Sequence, residues 1–249
     1  MAEEKLAKEE KKDGTTLAVD FMSDAGAGLE NVTQEDLVIP RLKLVQALSP
    51  QAQKHDGAHS PGISVGDIFN TVSNEFWAGE EGITVIPVSY RRVFLEWGPE
   101  RGGGLIATYE DPSILQQTTK NERYQDILPN GNTIQTTANH YVLQVGKEGY
   151  TPVMLAMTGT QLKKSKRWNS MMASLKIKGS DGSMFTPATY SHKYKLTAVP
   201  ESNDSGSWFG WNVANLGMLQ EEEADLYSSA KEFGSTVNAL SYKPQEEVA

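Results

Sequence analysis

The chain contains no cysteine. That absence excludes a disulfide framework, a thiol nucleophile and any thiolate metal site. Histidine is scarce too, with only His55, His59, His140 and His192. His55 and His59 have the i,i+4 spacing of a helical ligand pair, but Asp-Gly-Ala lies between them and Pro61 follows, which opposes a helix. They read as solvated loop residues, and His140 as a packed or rim residue opening a strand. No run approaches the ~18 apolar residues of a membrane span. Met1-Ala-Glu-Glu-Lys5 is followed by no apolar stretch, so no secretory signal is expected. A Gly-x-Ser-x-Gly elbow and a Walker-type loop are both missing. Gly102-Gly-Gly104 reads as a flexible turn before a strand. The acid pairs stand mostly in the chain ends, where water would keep them ordinary carboxylates, and no spacing proposes a metal-holding cluster. The expectation is a non-enzymatic protein with no cofactor, no metal and no membrane partner.

What the chain does have is charge, unevenly placed. Its net charge is −9, which by itself argues against a nucleic-acid partner. Between Gly149 and Pro200, however, stand eight basic residues and one acid, Asp181, a local charge of +7. The remainder therefore carries −16. The chain is bipolar, and its averaged isoelectric point hides the split.

Residues 1–35 mix Glu, Lys, Asp and Gly with few large apolar groups, too little to offset the entropy of ordering, and read as a disordered acidic tail. Leu37 to Gln46 is the first anchoring segment, alternating after Pro40. Gly and Pro make 49–66 a loop. Strand signals follow at 67–72, over 82–97 with Pro87 marking a bulge or edge, and over 140–145 and 152–157 around a Gly146-Lys-Glu-Gly149 hairpin loop. A second pair, 190–199 and 208–213, flanks the polar turn 201–206. Thr160 caps a helix to about Leu175, with Leu162, Ser165, Trp168, Met172 and Leu175 on one stripe. Another helix, about 219–233, opens with Glu221, Glu222 and Glu223, where the helix dipole favours acids. The expected fold class is mainly β with minor α: an antiparallel OB-like barrel or sandwich over 36–215, with an inserted helix, followed at 216–249 by a C-terminal helix and acidic tail.

The basic helix is the candidate site. Lys163, Lys164, Lys166 and Arg167 crowd its first turns beside Trp168, with Lys176 and Lys178 beyond. Cations there oppose the helix dipole and repel one another, so a bound anion would relieve both penalties. In a strand over 190–195, Tyr190 and Tyr194 share one face and Lys193 and Lys195 the other. Stacking aromatics beside a cationic groove are what single-strand binding without sequence readout requires. The bland alternative keeps Trp168 and the tyrosines in the core with the lysines as a solvated rim. Tyr90 with Arg91 and Arg92 makes a second, weaker aromatic and basic patch. In Trp208-Phe-Gly-Trp211, alternation puts Trp208 with Gly210 on one face and Phe209 with Trp211 on the other, so that one aromatic face packs inward and the other is left for stacking or subunit contact.

The succession Gly66-Asp-Ile-Phe-Asn-Thr-Val72, Leu128-Pro-Asn-Gly-Asn132, the block from Met157 to Asn169 containing Lys163-Lys-Ser-Lys-Arg-Trp168, and Val199 to Trp211 resembles a family of tailed-phage early-region proteins, some of them single-stranded DNA-binding proteins. The resemblance spans about residues 20–215. It implies an OB-like barrel that coats single-stranded DNA during replication or recombination in the cytoplasm of an infected bacterial host. One departure stands out, because the terminal Gln245-Glu-Glu-Val-Ala249 is a brief version of the acidic tail that recruits partners in such proteins. The expected partners are single-stranded DNA, phage replication or recombination proteins, and a second copy in a homo-oligomer. The competing readings are a structural or host-interaction protein meeting an acidic protein surface, and a strand-annealing recombination protein. If the acidic ends compete for the cationic groove, deleting residues 1–30 tightens DNA binding at low salt.

Overall fold

The computed structural model describes residues 27–32, 36–99, 104–147, 149–204 and 206–239. The chain divides into two units, Met1–Val38 and Ile39–Ala249. In the first, the described residues are exposed and turn once, the Val32 N–H donating to the Leu29 carbonyl at 3.0 Å. Most of the tail read over 1–35 lies outside the described residues, as do 240–249.

The second unit opens with an antiparallel trio, β1 (Leu42–Leu44), β2 (Ile68–Asn70) and β3 (Phe76–Trp77). There follow β4 (Ile83–Trp97), β5 (Leu105–Tyr109), β6 (Thr119–Lys120), β7 (Asp126–Ile127), β8 (Thr133–Val145) and β9 (Tyr150–Thr158). Helix α1 (Gln161–Ser174) leads to a small hairpin, β10 (Ile177–Lys178) and β11 (Met184–Phe185). The long hairpin of β12 (His192–Asn203) and β13 (Gly206–Met218) precedes α2 (Ala224–Ala239).

Strands β4 and β8 form the spine, pairing antiparallel from Thr84 opposite Val145 to Trp97 opposite Thr133. The register shifts between Pro87 and Ser89. Proline has no N–H for the ladder, and a bulge is where a central strand tolerates one. At one end β9 continues the β4–β8 meander, while β12 returns to the other side of β4 and pairs with β13. The connection from β9 to β12 contains α1. The result is a curled antiparallel half-barrel sheet, consistent with an OB-like barrel. Segment 40–46 joins the two sheet edges. Arg41 pairs in parallel with Met154, and the Met154 N–H donates to the Pro40 carbonyl at 2.8 Å. The Gln46 amide then bonds both backbone groups of Phe209 on β13 at 2.9 Å.

At the other end the spine outruns the barrel, with β5 pairing Phe94–Trp97 and β7 pairing Thr133 and Ile134. The Glu96 carboxylate is buried there. It accepts bonds from the Tyr109 hydroxyl at 2.5 Å, from the Asn132 amide and from the Asn130 amide at 3.4 Å. This network pins the Leu128-Pro-Asn-Gly-Asn132 turn to β4.

Alternation along the spine sorts two cores. Inward, Val85, Ala138, Val142, Leu155 and Leu196 meet Trp168 and Met172 of α1. Outward, Ile86, Val88, Leu143, Tyr141 and Met154 meet Ala230, Phe233 and Val237 of α2. Strand β8 is therefore buried on both faces from Thr137 to Gln144. The second helix starts later than its acidic cluster suggests, because Glu221–Glu223 form a separate 3-10 turn closed by a capping box between Gln220 and Glu223. Among the described residues no helix is long and apolar enough to cross a membrane.

Candidate nucleic-acid interface

Helix α1 covers the barrel interior with the stripe read from its sequence: Ser165, Trp168 and Met172 point inward and are buried. The Trp168 ring stacks on His140 with centroids 4.5 Å apart, and Tyr194 meets its edge at 5.6 Å. His140 Nε2 lies 2.7 Å from the Ser165 hydroxyl. Burial holds the His140 imidazole down to about 3, so it stays neutral. Trp168 and Tyr194 are both 0% exposed. This corrects the expectation that they stack on bases, since neither presents a ring surface to a strand in this conformation.

The cations of α1 follow from the same stripe. With the apolar side turned in, Lys163, Lys166 and Arg167 are exposed, and none has an acidic partner among the described residues. Lys164 differs, because its ammonium lies 2.6 Å from Glu201 of β12. The same carboxylate accepts from the Trp208 indole N–H and the Gln161 amide, both at 2.9 Å. Burial pushes the Glu201 carboxyl up, but the bonds from Lys164, Trp208 and Gln161 outweigh it and hold the group below its usual range. Gln161 also accepts the Trp211 backbone N–H at 2.8 Å. The α1 start is thereby fastened to the β12–β13 hairpin. Gly210 permits this approach, for a Cβ there would meet Gln161 and Glu201 atoms at 2.5–2.7 Å. Of the aromatic segment 208–211, Trp211 is core, Trp208 is half-buried on Glu201, and half-buried Phe209 packs over Gly66.

The tyrosine–arginine patch of β4 splits by alternation. Arg91 turns outward, donates to the Val237 carbonyl at 2.5 Å and lies 3.6 Å from Glu110. Arg91, expected in the nucleic-acid site, is thus tied to the end of α2. Tyr90, Arg92 and Phe94 turn inward, past the end of α1, and with Leu115, Thr136, Leu162 and Lys166 line a pocket of about 250 Å³. Sequence distance hid this meeting of Arg92 with Lys166.

The remaining basic residues go elsewhere. Tyr190 lies in a short 3-10 turn, Thr189–Ser191, ahead of β12, so the period-two argument pairing it with Tyr194 does not apply. Its ring meets Tyr227 of α2 at 5.0 Å. Lys193 pairs with Glu223 at 2.5 Å. Lys195 shares the outward side of β12 with Lys193 and is half-buried. Lys176 and Lys178 are exposed at the β10–β11 hairpin, where Lys176 donates to Thr186 at 2.6 Å. Phe185, 45% exposed on the same hairpin, went unnoticed in the sequence because a lone Phe in a polar stretch carries no pattern. The single basic window thus separates into an α1 group, a hairpin pair and a β12 pair, of which Lys193 is tied to the turn before α2.

OB-like barrels commonly bind oligonucleotides across their second and third strands. Here those strands are β8 and β9, and their outer face lies under α2 and Ile39. The open cationic surface is the α1 side. Among the described residues no three His, Asp or Glu side chains converge as a metal site. The family model described as Pam3 phage gp34-like protein matches residues 8–243. No curated protein and no solved structure matches the chain.

Proposed function

The chain belongs to the Pam3 phage gp34-like protein family, and from that premise we propose that it binds single-stranded DNA stoichiometrically, without catalysis, during phage replication or recombination. The observation that carries the reading is the outer face of α1, where Lys163, Lys166 and Arg167 stand exposed and unpaired among the described residues of a chain whose net charge is −9. Unpaired cations crowded on one helix destabilise it locally, and a polyanion relieves that repulsion while releasing its own counterions. An OB-like barrel supports the reading as a scaffold suited to strands. Phosphates are held by Lys163, Lys166 and Arg167, with Lys176 and Lys178 extending the track.

Fluorescence anisotropy of a labelled, unstructured oligonucleotide, titrated at two salt concentrations beside a duplex control, tests this. Salt-sensitive binding of the single strand alone is expected. Lys163→Ala/Lys166→Ala/Arg167→Ala together should lower the salt slope by about 2, at roughly 0.7 per phosphate contact. Absence of binding at low salt would overturn the reading and reassign the face to an acidic protein partner.

A further inference from the structure

The pocket at the end of α1 has a composition that strand-tracking by surface lysines does not require. Its floor is mainly apolar, formed by buried Phe94 and Ala138 beside Ser165, whose hydroxyl is engaged by His140, with Leu115, Thr136 and Leu162 also lining it. Its mouth carries Arg92 from β4 and Lys166 from α1, both exposed and without an acidic partner among the described residues. Tyr90 stands beside them, 36% exposed, its ring propped against His140 with centroids 5.0 Å apart. Because His140 is neutral, Arg92 and Lys166 supply the positive charge of this mouth. Two free cations over an apolar hollow match a ligand that is planar and apolar at one end and anionic at the other.

Size narrows the class. Pockets for drug-sized ligands run from about 300 to 1,000 Å³, so about 250 Å³ accommodates one ring system and little more. We propose that this pocket seats one nucleotide of the bound strand, its base against Phe94, Leu115 and Leu162 and its phosphate between Arg92 and Lys166. The inference rests on the strand-binding reading and adds a fixed seat to it. A seated base must leave its neighbours' stack, which a pyrimidine does more easily than a purine. The small volume favours the pyrimidine as well. Oligo-dT should therefore bind more tightly than oligo-dA.

The test is a titration of ¹⁵N-labelled full-length protein with dTMP, following the amides of Arg92 and Lys166, beside anisotropy with labelled oligo-dT. Saturable shifts at those two amides are expected. Arg92→Glu and Lys166→Glu, both at exposed positions, should abolish them and weaken oligo-dT binding about tenfold, with amides elsewhere unmoved. Oligo-dT bound normally by wild type and by both variants, with no dTMP shifts, would overturn the seat and leave strand binding standing. No oligo-dT binding by wild type would overturn both. Shifts produced by a hexa-aspartate peptide and not by dTMP would overturn the seat in favour of an acidic protein ligand.

Discussion

The two faces of the β4–β8 spine carry cations in opposite states. On the outer side, Arg91 is bonded to the end of α2, and Lys193 to the turn that precedes it. On the inner side, Arg92 and Lys166 flank a pocket without acidic partners among the described residues. Arg91 and Arg92 are neighbours in sequence, yet a period of two sends them to different fates. Local charge density therefore says little about availability. Whether a cation is free depends on which face its element turns outward and on what folds over that face. Here α2 covers one face, so on the proposed reading the strand must use the other.

The strongest way to break this comparison is to attack what separates the faces. Trp168 closes the barrel under α1, fully buried between His140 and Tyr194. Trp168→Ala should cost about 3–5 kcal/mol, because a large aromatic leaves a cavity that its neighbours fill only in part. Urea unfolding measures it. A loss below about 1 kcal/mol would mean that the ring is not held in the core, and the correction to its role as a base-stacking group would itself fall.

A second test asks where the inner side stops being open. Beyond the pocket, the Tyr109 hydroxyl and then the Asn132 and Asn130 amides hold the Glu96 carboxyl below its usual range, against its burial. A carboxyl depressed in the folded state stabilises above its unfolded value, about 4.3, and that contribution is lost as pH falls through the folded value. Glu96→Gln should cost about 1–3 kcal/mol at neutral pH, since it replaces charged acceptors with an amide that can satisfy only some of the donors. The difference from wild type should shrink at about pH 3. Urea midpoints at the two pH values check this, and a difference that does not change with pH would remove the ionised carboxylate from the account.

Much of the frame was legible. The 162–165–168–172 stripe located α1, although Thr160 stands at its N-cap in helical backbone and makes no capping side-chain bond; Pro87 marked the bulge, and Gly146 with Gly149 located the β8–β9 turn. The start of β8 was not legible, because Thr133–Asn139 is polar and β-branched and shows no alternation, facing a pocket on one side and other protein on the other. The shared face of Tyr190 and Tyr194 failed because the strand begins only at His192. The acidic cluster at Glu221–Glu223 announced α2, but nothing local says which face of the sheet it covers. The pocket needed β4 and α1 side by side, a long-range contact that no window of sequence contains.

The comparison itself predicts unequal binding effects. Lys166→Ala should weaken oligo-dT binding several-fold, roughly 1 kcal/mol, as expected for one phosphate contact in a cationic groove. Lys193→Ala should leave affinity within twofold, because its charge is already neutralised by Glu223 at 2.5 Å. Salt titrations on both variants separate the cases. Equal losses would mean that DNA reaches the β12 side and that the Lys193–Glu223 pair opens on binding.

The smallest effect concerns the N-terminal segment. Residues 1–30 carry eight acids and four bases, a net charge of −4. An anionic segment in the same chain as a cationic face can compete with DNA by raising the local concentration of carboxylates, and salt screens such competition within a Debye length, about 10 Å at 0.1 M. Deleting 1–30 should tighten oligo-dT binding a few-fold at low salt and not at all at high salt, with the urea midpoint unchanged. The salt dependence is the discriminating part. Tightening that persists at high salt would point to steric blocking of the α1 side, whereas no change at low salt would leave the −16 carried outside the basic window with no part in binding.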